Sequence, residues 1–410
     1  MSTSSNTPDA PLDRAAWLAT VAGLSGSLVG IGLSRFAYTP LIPPLIEAHW
    51  FSAADAVSLG ATNFAGYLAG ALLGRAMARR LGNRTALRLM MLVATATFFA
   101  CAFPLSLGWY SVWRFLSGLS GGAIMVLAAT TILPHIQPTR RGFVSGMVFL
   151  GLGLGIAASG TLVPELLHYG LRATWIGLGV LAFVLTAVSW FGWPSGNPPQ
   201  ADAAAPVAIA SREKISLRLL YVQYAANALG IVPAMVLLVN YIALGLGWGS
   251  TLGARFWVLY GLAAIAGPVL NGSVVDRLGA ARAYRVGLIA QIAATGIMVA
   301  TANVFALSLA TIIFGIFTPG MVTLALGRIH EILPHDHNAQ RAAWSNATTA
   351  FALFQMLGGY FYAWLFAHTE GDYTLIFLIA TASMVFALMV NLADAWRERR
   401  GEQAVANPAD

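Results

Sequence analysis

The chain has 410 residues, of which 58% are hydrophobic and 10% charged, whereas soluble globular proteins carry roughly 25% charged residues. So little charge cannot coat a water-exposed surface, and the length is filled by apolar runs that recur from Trp17 to Trp396 rather than by two or three soluble domains. The net charge of +7 raises nucleic acid as a partner, but the basic residues sit in short turns between apolar runs. Orientation in a membrane accounts for them there, and no nucleic-acid partner is expected.

In chain order, the polar segment 1–14 carries Asp9 and Asp13 and lacks the basic start of a secretory signal. The apolar run that follows, 15–45, is too long for a cleaved signal core and reads as a retained first span. A membrane helix needs about 20 mostly apolar residues. On that rule the spans are expected at 16–43, 55–77, 86–107, 109–133, 142–167, 172–193, 216–245, 252–275, 284–302, 304–329, 341–367 and 373–394. The single cysteine, Cys101, lies inside an apolar run, which excludes a disulfide framework and a cysteine metal cluster.

With the N-terminus placed in the cytoplasm, nineteen of the 23 basic residues fall on the inner side, two (Arg172, Arg255) outside and two (Arg35, Arg114) within spans. Glu47, Asp55, Glu165, Glu370 and Asp372 cluster on the outer side. The positive-inside rule therefore orients the chain in the cytoplasmic membrane of a bacterial-type cell, multi-pass, with both termini inside.

A shift of 200 positions superimposes Ile132-Leu133-Pro134-His135 on Ile332-Leu333-Pro334-His335, Arg141 on Arg341 and Ser145 on Ser345. A shift of 197 superimposes Arg80-Leu81-Gly82 on Arg277-Leu278-Gly279. The expected architecture is an all-α membrane protein of twelve transmembrane helices in two six-helix pseudo-repeats. Its expected parts are an N-terminal half over 1–194, a Pro-, Ala- and Gly-rich cytoplasmic linker over 195–213 and a C-terminal half over 214–410. Parallel repeats of this kind place one binding site between two halves that rock by alternating access.

The loop from Gly272 through Asp276-Arg277-Leu278-Gly279 resembles the G-x-x-x-D-R-x-G signature of the major facilitator superfamily. The resemblance implies a cytoplasmic gate at Gly272, Asp276, Arg277 and Gly279, with ordinary helix-end capping as the plainer reading. The first copy of the signature departs: Arg79 takes the acidic slot and Gly74 lies one position early. Arg114 through Gly118 resembles the family's R-x-x-x-G motif, whose arginine lines the central cavity. The segment 32–43, Gly-Leu-Ser-Arg-Phe-Ala-Tyr-Thr-Pro-Leu-Ile-Pro, is similar to the YbfB/YjiJ-type branch. The expectation that follows is the major facilitator fold and secondary active transport of a small solute.

An arginine within hydrocarbon costs at least about 2.5 to 3.5 kcal/mol and usually faces a cavity or a partner. Helix rise places Arg35 roughly 27 Å along span one and Arg114 roughly 8 Å from the outer end of span four, at similar depth. Two guanidiniums facing one solute suit an organic anion, while snorkelling to the interface is the plainer reading of each. Tyr38, Asn63, Gln223 and Asn227 are the further candidates for substrate binding or coupling, with Tyr224, Asn240 and Asn271 beside them. Polar residues at such positions also bond helices to one another.

The expected partners are a small-molecule substrate and the lipid bilayer, with a coupling proton as a further candidate. His330, Glu331 and Glu165 could carry that proton, although each lies near a span end. The His335, Asp336 and His337 trio lacks further ligands at metal spacing, and no metal is expected. No catalytic residue, enzyme activity or cofactor is expected, and the chain should be a monomer. Drug or metabolite efflux is the alternative transport reading, less favoured because glycine-rich span five lacks the Gly-Pro signature of drug antiporters. A non-transporting sensor or channel is the different-class alternative.

Overall fold

A computed structural model describes residues 12–195, 211–334 and 336–406. Most of the expected linker 195–213 lies outside them; its last residues belong to span seven, whose helix begins at Ser211. Among the described residues, twelve helices are long and apolar enough to cross a membrane: Arg14–Glu47, Ala53–Leu81, Asn83–Cys101, Leu107–His135, Arg141–Leu167, Leu171–Ser189, Ser211–Val236, Ser250–Leu278, Ala280–Ala300, Val304–Ile332, Asn338–His368 and Tyr373–Arg400. They are spans one to twelve. The last helix runs on to Ala406, beyond its expected end at 394.

Large apolar side chains such as Leu72, Leu73, Phe183, Val269, Leu309 and Trp364 point outward. In water such a surface would aggregate, whereas in lipid it is the natural coat. Lipid tails are as apolar as the helices, so association depends on close backbone approach rather than on water exclusion. Spans two and four show this most clearly. A methyl group at Gly66 would lie 1.9 Å from the carbonyl oxygen of Phe115, and one at Gly70 would lie 2.0 Å from that of Leu119.

The repeats recur in backbone detail. Spans two and three are joined through Gly82, at φ 81°, and spans eight and nine through Gly279, at φ 77°. Glycine adopts that left-handed region without Cβ strain, which explains why Arg-Leu-Gly recurs at both turns. Span one contains a π-helical turn, Leu28–Leu33, and a second, Tyr241–Gly245, follows the Ser211–Val236 helix of span seven. The helix ends at Val236 and a short turn Leu238–Asn240 follows, so the span expected over 216–245 is divided. The bundle has a basic end, carrying the arginine-rich turns, and an acidic end, carrying Glu47, Asp55, Glu370 and Asp372.

Candidate substrate pocket and the comparisons

Span one is irregular where it matters. After the regular stretch Arg14–Ser27 come the π turn, a helical turn Ser34–Phe36, a 3-10 turn Thr39–Leu41 and a last helix Ile42–Glu47. Pro40, Pro43 and Pro44 cannot donate backbone hydrogen bonds, so regular i to i−4 pairing fails across this region. The carbonyl of Ser34 accepts from Arg114 Nη1 at 2.9 Å and from Ser117 Oγ at 2.8 Å. Span four is thereby tied to the bend in span one.

Span two completes the group. A methyl at Gly118 would lie 1.9 Å from the carbonyl oxygen of Asn63, so backbone meets backbone there. This closeness lets Asn63 Nδ2 donate to the Arg114 carbonyl and to Ser117 Oγ, both at 3.3 Å. The Tyr38 hydroxyl donates to the Ala56 carbonyl at 2.8 Å, and its ring lies 4.2 Å beneath the Arg114 guanidinium. The Arg35 guanidinium sits among three rings, 4.6 Å from Phe64, 4.8 Å from Tyr67 and 5.4 Å from Phe36.

Arg35, Tyr38, Asn63 and Arg114 therefore line one pocket, closed on its far side by Met235 and Val236 of span seven. No carboxylate is among its lining residues. Arg35 Nε and Nη2, Arg114 Nε and Asn63 Oδ1 are buried without hydrogen-bond partners. Ring faces offset about 0.5 to 2 kcal/mol of each cation's burial, which leaves directional donors for an anion to satisfy.

The other sequence candidates lie elsewhere. Gln223 Oε1 accepts from Asn391 Nδ2 at 3.0 Å, and Asn227 Nδ2 donates to Gln291 Oε1 at 3.1 Å. Asn240 Nδ2 donates to the Tyr373 hydroxyl at 2.8 Å, and Asn271 Nδ2 to the Gly267 carbonyl at 2.8 Å. All four side chains bond within the last six spans. Asp276 and Arg277 are exposed, while Gly272 has open space around it. Glu165 and His330 are exposed as well. Asp336 caps span eleven through the amides of Asn338 and Ala339. His335 lies outside the described residues, as does the side chain of His337.

Sequence reasoning missed a charge cluster at the basic end of the last six spans. Arg328 pairs with Glu398 at 2.6 Å, Glu331 at 2.9 Å and Asp394 at 3.6 Å, and Arg397 pairs with Asp394 at 2.9 Å. Glu331 also accepts the first amides of span nine, from Ala280 and Ala281, each at 3.1 Å. The available signal was an acid three residues after Arg328 on one helix face.

Among the described residues, four side-chain hydrogen bonds join the first six spans to the last six. Thr39 Oγ1 donates to the Met235 carbonyl at 2.8 Å, Ser250 Oγ to Glu47 Oε1 at 3.4 Å, Trp257 Nε1 to Ser159 Oγ at 3.1 Å and the Tyr360 hydroxyl to Thr62 Oγ1 at 3.3 Å. Each lies in the half of the bundle nearer the acidic end. The pocket is thus sealed from that end by the meeting of spans one and seven.

Twelve spans meeting over a pocket lined by spans one, two, four and seven fit the family match of the chain, which is to transporters of the major facilitator superfamily. Residues 27–392 match the family described as uncharacterised MFS-type transporter YbfB, and the chain belongs to it. The structure resembles that of a D-xylose-proton symporter, with a TM-score of 0.71 at 14% identity over 92% of this chain and 97% of that one. At that identity the likeness is one of fold.

Among curated proteins, the 4-hydroxybenzoate transporter PcaK of Acinetobacter baylyi is 34% identical over 157 residues, which are 37% of this chain and 33% of that protein. The niacin transporter NiaP of the same organism is 30% identical over 133 residues, 31% of this chain and 28% of that protein. The chain thus matches no more than about a third of the length of either.

Proposed function

We propose that this protein is a secondary active transporter of small organic anions, with an aromatic carboxylate as the substrate class. The observation that carries this reading is the pair of guanidiniums, Arg35 and Arg114, lining one buried pocket with donors left unpaired and no carboxylate beside them. A carboxylate accepts parallel hydrogen bonds from guanidinium donors, and the rings of Phe36, Phe64 and Tyr67 around Arg35 offer apolar faces for an aromatic body. The partial matches to transporters named for 4-hydroxybenzoate and niacin support the same class.

The basic end lies in the cytoplasm of this reading, with both termini on that side of a bacterial inner membrane. The structure described is then inward-facing, and transport proceeds as the halves 1–194 and 214–410 rock about the pocket. Thermal stabilisation of the purified protein by 4-hydroxybenzoate and nicotinate, compared with benzylamine and xylose, tests the substrate class. Stabilisation is expected for the two carboxylates and is expected to vanish in Arg35→Gln and Arg114→Gln. Stabilisation by the amine alone overturns the reading.

A further inference from the structure

The side chains that share the pocket with the two arginines form a short set. Around Arg35 and Arg114 the pocket is lined by Phe36, Tyr38, Asn63 and Phe64, with Met235 and Val236 facing them. No carboxylate or imidazole is among the residues that line it. Asp55 stands at the start of span two, outside the pocket lining, where it accepts from the Ser52 hydroxyl at 2.7 Å. The described ion pairs gather at the basic end of the last six spans, around Arg328 and Arg397.

Reorientation requires the pocket to be closed on both sides for a moment. The acidic side is closed already, by Thr39 against the Met235 carbonyl and by Val236 against Gly60. Arg35 Nε and Nη2 and Arg114 Nε are already buried without partners, so two like charges must pass through the closed state with little water around them. In a low-dielectric interior their repulsion and desolvation are greatest. A carrier that returns empty must neutralise such charges from within, by a salt bridge or by moving a proton at a nearby acid. Neither partner stands beside Arg35 or Arg114, whereas a bound anion supplies the missing charge and satisfies the open donors.

We infer that the protein is an obligatory anion exchanger, whose pocket turns between the two sides of the membrane only while an organic anion occupies it. One anion enters as another leaves, and like-charged anions exchange without net charge movement. The inference rests on the organic-anion reading above.

The test is uptake of radiolabelled 4-hydroxybenzoate by full-length protein in proteoliposomes. One set holds unlabelled 4-hydroxybenzoate and the other only a zwitterionic buffer. Uptake is expected to be at least about tenfold faster into the loaded set, with no gain in the unloaded set from an inward proton gradient. Equal rates, or gradient-driven accumulation without internal anion, overturn exchange and leave the anion reading standing. No uptake in either set, together with no thermal stabilisation by 4-hydroxybenzoate or nicotinate, overturns both. Asn63→Asp supplies an internal counter-charge within the same pocket, so its loaded-to-unloaded ratio is expected to fall towards one. A ratio that stays at the wild-type value in this variant, while it still exchanges, overturns the electrostatic cause.

Discussion

Arg35 and Arg114 share a pocket but are held by different means, and substitutions should separate them. Arg114 is fixed by a hydrogen bond to the Ser34 carbonyl and by the Tyr38 ring, whereas Arg35 touches ring faces and has two unpaired nitrogens. Lysine keeps the charge of Arg114 but lacks the planar fork that spans both a carbonyl and an anion. Arg114→Lys is expected to weaken 4-hydroxybenzoate binding by about ten- to a hundredfold, the equivalent of one charge-assisted hydrogen bond. Isothermal titration of the detergent-solubilised protein measures it, and an unchanged affinity removes Arg114 from the site. Both arginines were legible in the sequence because a charge inside an apolar run stands out. Gln223 and Asn227 show the limit of that signal: four residues apart, they share a helix face, but spacing cannot tell a face that lines a pocket from one that meets Asn391 and Gln291.

At the scale of the element, the glycines of spans two and four make the opposite prediction from Gly272 of the signature segment. Gly66→Ala drives a methyl into the Phe115 backbone, which cannot yield as a flexible side chain would. It should destabilise the protein by about 1 to 3 kcal/mol and displace Asn63 from Arg114. Gly272→Ala meets nothing within 4 Å and should be neutral or slightly stabilising, as alanine is the better helix former. Paired thermal melts decide between the two, and equal losses refute the packing account. The span positions were readable because about twenty apolar residues suffice to mark each one. The π turns of spans one and seven were not, since they arise from packing between helices; the prolines marked an irregularity without fixing where it falls. The spacing Gly66, Gly70, Gly74 was a readable small-residue signature of close approach.

For the molecule as a whole, stability and conformational state depend on opposite ends. At the basic end, Arg328, with a side chain 12% exposed, is the shared cation of Glu398, Glu331 and Asp394, of which Asp394 keeps Arg397 at 2.9 Å. Arg328→Met is expected to cost about 1 to 3 kcal/mol through the lost charged hydrogen bonds, read by denaturation, while Asp276→Asn at an exposed position costs little. At the acidic end, the Thr39 hydroxyl bond to span seven is worth about 1 kcal/mol. In a Cys101→Ser background, Thr39→Ala should therefore speed labelling of a Val236→Cys thiol by an impermeant maleimide added outside, by about fivefold. No change in rate shows that the seal lies elsewhere. The close interlock of spans two and four has one more outcome. Asn63 and Arg114 ride on a single stiff plank, which is expected to move as one body, while Arg35 rides on the jointed first span. Any disparity in affinity between the two faces of the membrane then originates with Arg35, and Arg35→Gln should leave a carrier equally weak from either side.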